Sequence, residues 1–131
     1  MNQKILAIIK SDKGKFLLLK TNPKWLQVDE WFVVTGSVEG KESFGDAARR
    51  EIAEETGLQI LNLIETDYSC EYEWPVGSGK MHFEKGFLAI VKHAEPKLSG
   101  EHLEYKWLSE KEFISKIAWT GDKKELRKLL I

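Results

Sequence analysis

The chain has 131 residues, a formal net charge of −1, 42% hydrophobic residues and 31% charged residues. This balance is typical of one globular domain over residues 1–131, and the absence of a basic stripe argues against binding to a nucleic-acid polymer. The single cysteine, Cys70, excludes an intrachain disulfide, and the apolar run Ile5–Ile9 is too short for a signal peptide or a membrane span. We therefore expect a soluble cytoplasmic protein without membrane association, as a monomer or a homodimer.

The N-terminal part of the chain is predicted to form strands joined by polar turns. Apolar runs predict strands at Lys4–Lys10 and Lys15–Lys20, with a turn at Ser11–Gly14 between them. Thr21–Glu30 is polar and contains a proline, so we expect a loop there. The short apolar run Trp31–Val34 predicts a strand that leads into the most informative segment.

That segment, which we call the box, runs from Gly36 to Leu58 and reads GSVEGKESFGDAARREIAEETGL. Ser43 is a candidate N-cap, with Asp46 three positions later completing a capping signal. Gly57 suits the left-handed residue just past the end of a helix. An apolar stripe that can pack on a sheet is formed by Phe44, Ala48 and Ile52.

The remaining chain predicts strands followed by two helices. The expected extended segments are Gln59–Ile64, Thr66–Trp74, Lys80–Lys92 and Tyr105–Leu108. Turns or loops are expected at Pro75–Gly79 and Glu95–Gly100. A capping pattern predicts a helix over Ser109–Ile117, and an amphipathic run predicts a terminal helix over Asp122–Leu130.

Three glutamates near the end of the box helix indicate its chemistry. Glu51, Glu54 and Glu55 are three and four residues apart, so they share one helix face. Like charges at this spacing repel by roughly 0.2–0.5 kcal/mol per pair. A hard divalent cation would relieve that repulsion, and Mg²⁺, with Mn²⁺ as an alternative, usually shares its site with substrate phosphates. A solvated acidic face is the plain alternative.

The spacing of the whole box decides between these interpretations. It follows the pattern G-x5-E-x7-R-E-U-x-E-E-x-G-U, where U is a bulky aliphatic residue. The fixed positions are filled by Gly36, Glu42, Arg50, Glu51, Ile52, Glu54, Glu55, Gly57 and Leu58. The chain thus closely resembles the Nudix hydrolases. The resemblance implies an α/β/α sandwich with a central mixed β-sheet. It also implies Mg²⁺-dependent cleavage of a P–O–P bond in a small nucleotide, either a nucleoside triphosphate or a related nucleoside diphosphate derivative.

The same resemblance assigns roles to the box residues. Glu51 and Glu55 are the expected metal ligands, and Glu54 is either a further ligand or the general base. Arg50, counted with the catalytic residues, would orient Glu54. A backbone carbonyl near Thr35 or Gly36 is a further candidate ligand, and Glu42 would stabilise the loop before the helix.

A further carboxylate outside the box is expected from the segment SGEHLEYKWL at Ser99–Leu108. It resembles an E-H-x-x-Y-x-W-L motif of the dATP and dihydroneopterin triphosphate pyrophosphohydrolase branch and of dinucleoside tetraphosphatases. On that match Glu101 is the outer metal ligand or the base, unless it is only a solvated loop residue. Glu84 is the rival, although a charge between aromatic strand residues more often lies on an outer face.

Two other functions and one group of contacts stay open. The chain could cleave a dinucleoside tetraphosphate of the diadenosine type, or it could be a non-catalytic nucleotide-sensing module. The complete set of box carboxylates argues against the second option. The aromatic residues considered for base stacking are Trp25, Trp31, Trp74 and Phe83.

Overall fold

The structure of the protein, a computed structural model, describes residues 1–23 and 30–130. The strands are β1 (Asn2–Ser11), β2 (Phe16–Thr21), β3 (Trp31–Phe32), β4 (Val34–Ser37), β5 (Ile60–Glu73), β6 (Met81–Val91) and β7 (His102–Leu108). The helices are α1 (Phe44–Thr56), α2 (Glu110–Lys116) and α3 (Lys123–Arg127). Within the described residues, none of the helices combines the length and the apolar character needed to cross a bilayer.

Strand β1 organises a sheet that has seven strands within the described residues. It pairs in parallel with β6 from Asn2 to Ser11, and antiparallel with β4 and with the start of β2. The remaining pairs, β2 with β3, β2 with β7, and β5 with β6, are antiparallel. The sheet is therefore mixed, as the sequence predicts.

Both faces of the sheet are covered by other parts of the chain. The side chains of β1 alternate between the two apolar clusters that result. Ile5, Ala7 and Ile9 pack with α1, and Leu6 and Ile8 pack on the opposite side. Residues from the C-terminal part of the chain complete that second cluster, namely Phe113, Ile117, Leu126 and Leu129. Helices on both faces give the predicted α/β/α sandwich.

Local signals in the box produce helix α1 as expected. The Ser43 hydroxyl accepts a hydrogen bond from the backbone N–H of Asp46, and Gly57 ends the helix with φ of 64°. Ala48 and Ile52 are fully buried against the sheet. The helix thus holds its apolar stripe inside and presents the acidic residues along its flank.

Several element boundaries differ from the prediction for identifiable reasons. The expected strand Trp31–Val34 is divided at Val33, because Trp31 and Phe32 pair with β2 whereas the next residues pair with β1. The two extended segments after the box form one strand, β5, with an irregular register between Glu65 and Ser69.

The C-terminal helix is shorter than predicted and ends at Arg127. The N–H groups of Lys128, Leu129 and Leu130 each donate to the carbonyl three residues earlier, so tighter turns replace the last part of the helix. The expected loop Thr21–Glu30 lies mostly outside the described residues.

Candidate active site

Arg50 is the hub of the charged groups on helix α1. Its Nε lies 2.8 Å from Glu42 Oε2, and its Nη1 lies 2.9 Å from Glu51 Oε1 and 3.3 Å from Glu54 Oε2. Nη2 donates to the backbone carbonyl of Ser37 at 2.8 Å. The predicted pairing with Glu54 is present, but Glu42 and Glu51 lie nearer to the guanidinium.

Glu42 holds the loop before α1 in place, as expected. Besides pairing with Arg50, it accepts a hydrogen bond from the backbone N–H of Glu39 at 2.9 Å. The Arg50 hydrogen bond, followed by that N–H, lowers the pKa of Glu42. Gly40 adopts φ of 53° in this loop.

The carboxyl group of Glu51 occupies the space that a side chain at position 36 would need, so only glycine fits at that position. A Cβ atom at Gly36 would collide with the carboxyl group of Glu51. Burial raises the pKa of Glu51, and Arg50 partly offsets this, while Glu54 and Glu55 add to the rise. Glycine at position 36 therefore serves the close approach of a carboxylate to strand β4.

Glu55 faces a different set of partners, from the loop before β7 and from the first residue of that strand. The Ser99 hydroxyl donates to Glu55 Oε2 at 2.6 Å, and His102 Nδ1 lies 2.8 Å from the same oxygen, although it is not aligned as a hydrogen bond. Burial would raise the pKa of Glu55, but His102 and Ser99 outweigh it, so the pKa is lowered. Glu55 is 5% exposed.

The structure places Glu101 beside Glu55. Strand β7 pairs with β2, and the N–H of Asn22 donates to the Glu101 carbonyl at 2.8 Å, which fixes the loop at this position. Burial, followed by the charge and hydrogen bond of Glu55, raises the pKa of Glu101. The two residues lie on the same side of the sheet, and the catalytic role of Glu101 stays a prediction.

The carboxylates have the right chemistry for Mg²⁺ but are held apart by their partners. Within residues 1–23 and 30–130, no three Asp, Glu, His or Cys side chains converge closely enough to hold a metal ion. Arg50 pairs with the carboxylates of Glu51 and Glu54. The carboxylate of Glu55 instead contacts Ser99 and His102. Carboxylate oxygens are the ligands that Mg²⁺ prefers, so the residues fit this ion once they turn toward it.

Glu84 does not lie on an outer face, and the expectation for it was wrong. Its side chain is 8% exposed and belongs to the side of the sheet opposite α1, where Tyr68 OH donates to Oε1 at 3.3 Å. Burial raises the pKa of Glu84, and Tyr68 and Lys4 oppose that rise. The sequence did not indicate the burial of Glu84, because both faces of β6 are covered by distant parts of the chain.

Two neighbouring cavities open around Glu84. One measures about 680 Å³ and extends to Trp119 and Asp122; the other measures about 360 Å³ and extends to Thr35 and Gly36. Three residues line both cavities, namely Phe32, Tyr72 and Glu84. The cavities thus follow one path along the sheet, from Trp119 to the glycine that contacts Glu51.

Comparison with known proteins establishes the family. Residues 2–130 match the family model of the NUDIX domain. The chain belongs to the NUDIX domain family. The chain is 31% identical over 117 residues to the dihydroneopterin triphosphate diphosphatase of Escherichia coli K12, covering 79% of this chain and 75% of that protein. It is 34% identical over 85 residues to the chloroplastic Nudix hydrolase 19 of Arabidopsis thaliana, covering 63% of this chain.

The fold agrees with solved structures of the family. A C. elegans Ap4A hydrolase complex superimposes with a TM-score of 0.74 at 26% identity, covering 98% of this chain and 94% of that chain. Some curated relatives are much longer. This NUDIX domain spans 19% of the Arabidopsis relative and 33% of another.

The aromatic residues of this NUDIX domain are distributed differently from the expectation. Trp74 lines the smaller cavity, but Phe83 packs edge-on against Phe44, and Trp31 stacks with lysines. Trp25 lies outside the described residues. The aromatic side chains that line the cavities and were not singled out are Phe32, Tyr68, Tyr72 and Trp119. Alternation within β5 was the available signal for Tyr68 and Tyr72.

Proposed function

We propose that this NUDIX domain is a Mg²⁺-dependent pyrophosphohydrolase that cleaves a P–O–P bond in a nucleoside triphosphate or a related nucleoside diphosphate derivative. The observation that carries the proposal is the position of Gly36. This residue lines the smaller cavity and also contacts the Glu51 side chain. A flat base in the larger cavity would therefore direct its phosphates past Gly36 toward the acidic residues of α1.

The larger cavity suits the nucleoside part of such a substrate. Its volume of about 680 Å³ lies in the range of small-molecule sites, and aromatic side chains line its wall. Lys4 lines the smaller cavity and donates to Ser37 Oγ at 2.7 Å, which places a cation beside the route of the phosphates. An anionic chain between these two regions would meet one positive group before it reached the carboxylates.

The carboxylates divide the catalytic work in this proposal. Glu51, Glu54, Glu55 and Glu101 would hold Mg²⁺, or Mn²⁺ in its place, once their side chains turn toward the ion. When bound, the ions neutralise phosphate oxygens and lower the pKa of the attacking water. Either Glu54 or Glu101 accepts the proton of that water as it attacks phosphorus. Arg50 keeps Glu51 and Glu54 oriented and does not touch the substrate.

The relatives favour this substrate class. One is named a dihydroneopterin triphosphate diphosphatase, so the name gives that protein an organic triphosphate as its substrate. Cleavage of a nucleoside triphosphate within the same class would release pyrophosphate and a monophosphate. Some relatives are longer than this chain. The activity of the whole protein is therefore part of the proposal.

A dinucleoside tetraphosphate is the second candidate substrate. The C. elegans relative is named an Ap4A hydrolase, and its fold covers nearly the whole chain. The exposed Trp74, 62% accessible at the rim of the smaller cavity, offers a surface on which a second base could stack. Hydrolysis of that substrate would yield ATP and AMP.

A substrate panel with Mg²⁺ tests the proposal. Nucleoside triphosphates, dihydroneopterin triphosphate and diadenosine tetraphosphate are incubated with the protein, and the products are separated by anion exchange. Pyrophosphate with a monophosphate supports the first substrate class, and ATP with AMP supports the second. The absence of any P–O–P cleavage across the panel, with the protein folded, contradicts both.

A further inference from the structure

Glu84 is a buried acid that the proposed chemistry does not use. It lies across the sheet from α1, lines both cavities, and is 8% exposed. Its register partner on β1 is Lys4, which together with Tyr68, Tyr72 and His82 favours the ionised carboxylate, whereas burial opposes it. Because burial of a charged carboxylate costs free energy, a ligand that brings hydrogen-bond donors to Glu84 would stabilise its ionised form.

The carboxylate of Glu84 still has acceptor capacity for a ligand. Tyr68 OH donates to Oε1 at 3.3 Å, and the Cys70 thiol lies at 4.0 Å from the same oxygen, a weak contact. Tyr72 is a third hydrogen-bonding neighbour. Because an ionised carboxylate has about four lone-pair positions, these side chains do not saturate it.

Ligand edges differ in what they offer to a carboxylate. The 2-amino-4-oxopyrimidine edge of guanine and of pterins presents a ring N–H beside an amino group, and both are donors. Adenine and cytosine present an amino donor next to a ring nitrogen acceptor, which a carboxylate repels. The aromatic residues of the larger cavity, Phe32, Tyr72 and Trp119, would lie along the faces of such a ring.

We propose that Glu84 selects substrates with a 2-amino-4-oxopyrimidine edge, as in guanine nucleotides and pterin triphosphates, by accepting hydrogen bonds from the ring N–H and the amino group. The proposal rests on the proposed function, because it takes the larger cavity as the base subsite. Glu84 acts here as a specificity residue, on the face of the sheet opposite the phosphate chemistry.

The test compares the binding of GMP and IMP, which differ only in the 2-amino group, by isothermal titration calorimetry. Monophosphates lack a P–O–P bond, so the measurement does not depend on catalysis. We expect GMP to bind wild-type protein at least about tenfold more tightly than IMP, the effect of one hydrogen bond to a charged group. Glu84→Gln should reduce the ratio to below about threefold, because the amide presents one donor and one acceptor.

Glu71→Gln is the matched control, because Glu71 is an exposed acid on the neighbouring strand β5 that lines neither cavity. It should keep the wild-type ratio. Equal binding of GMP and IMP by wild-type protein, tighter binding of AMP, or an unchanged ratio in Glu84→Gln would each overturn the proposal. The wild-type comparison decides the matter even if a variant is unstable.

The two proposals can fail separately. Hydrolysis of triphosphates with no preference for guanine would leave the proposed function intact and remove the role of Glu84. Preference for GMP over IMP that Glu84→Gln abolishes, without hydrolysis of any panel member, would support the role of Glu84 and contradict the proposed function.

Discussion

The hydroxyl group of Ser99 lies 2.6 Å from Oε2 of Glu55, although the two residues are 44 positions apart in the chain. The loop that carries Ser99 is fastened to the end of helix α1, where the backbone N–H of Lys97 donates to the Thr56 carbonyl at 2.8 Å. The orientation of an expected metal ligand therefore depends on a segment far from the helix in sequence.

Ser99→Ala should weaken the response to Mg²⁺ without unfolding the protein. The substitution removes a charge-assisted hydrogen bond that orients Glu55, so we expect kcat/KM to fall about tenfold and half-saturation by Mg²⁺ to move to higher concentration. Ser115→Ala, at an exposed position of α2, is the control and should titrate as wild type. An unchanged Mg²⁺ titration for Ser99→Ala would show that this contact does not position Glu55.

Gly36→Ala should displace the Glu51 carboxylate. A methyl group at this position collides with the Glu51 side chain, whereas at Gly45 the nearest atom to an added Cβ is 3.9 Å away. We expect Gly36→Ala to lose most of its activity and Gly45→Ala to keep it, both with helical circular dichroism like that of wild type. Wild-type activity in Gly36→Ala would mean that Glu51 can act from another position.

Glu101→Gln should lower kcat far more than it changes KM. The carboxyl group lies beside Glu55, where the substitution removes a charge that matters in the transition state. Glu104→Gln is the control, because Glu104 lies three residues further along, on strand β7, and pairs with Lys20 at 3.7 Å on the surface. If Glu101→Gln retains wild-type kcat, the outer ligand or base is another residue. Glu54→Gln, measured in parallel, separates the two candidates for the base.

Glu84→Gln should make the protein more stable at neutral pH. Burial raises the pKa of Glu84 above its ordinary value of 4.5, so ionisation costs the folded state more than the unfolded state. Stability is thereby lost as pH rises from the ordinary pKa through the folded pKa, and glutamine avoids this loss. Thermal melting at pH 7.5 should favour the variant over wild type, with a smaller difference at pH 4. A variant less stable than wild type at pH 7.5 would contradict the assignment, and Glu71→Gln should show no such pH dependence.

Local signals predicted the parts of the fold that depend on neighbouring residues. Ser43 and Gly57 define the ends of α1 because capping and left-handed geometry are decided within a few residues. Apolar runs predicted the strands, and the family resemblance implied the mixed sheet with helices on both faces.

Contacts between distant segments could not be predicted in the same way. The burial of Glu84 depends on Tyr68 from β5 and Lys4 from β1, which meet only when the sheet forms. The separation of the carboxylates has a similar origin, since Arg50 also bonds to the Ser37 carbonyl and Ser99 reaches Glu55 from another loop. Spacing on the helix alone indicated convergence of the glutamates, but Arg50 within the helix and Ser99 from outside it bind different carboxylates.

The release of pyrophosphate and GMP from GTP by wild-type protein and Glu55→Gln, each with Mg²⁺ and with excess EDTA, tests the central claim most directly. Glu55 is buried, but glutamine has nearly the same shape and should fit in its place. Circular dichroism should therefore confirm that the variant is folded. We expect wild-type turnover only with Mg²⁺, and a fall by orders of magnitude in Glu55→Gln. Full activity in excess EDTA, or near-wild-type turnover by Glu55→Gln, would contradict the assignment of the acidic helix as the metal site of a pyrophosphohydrolase.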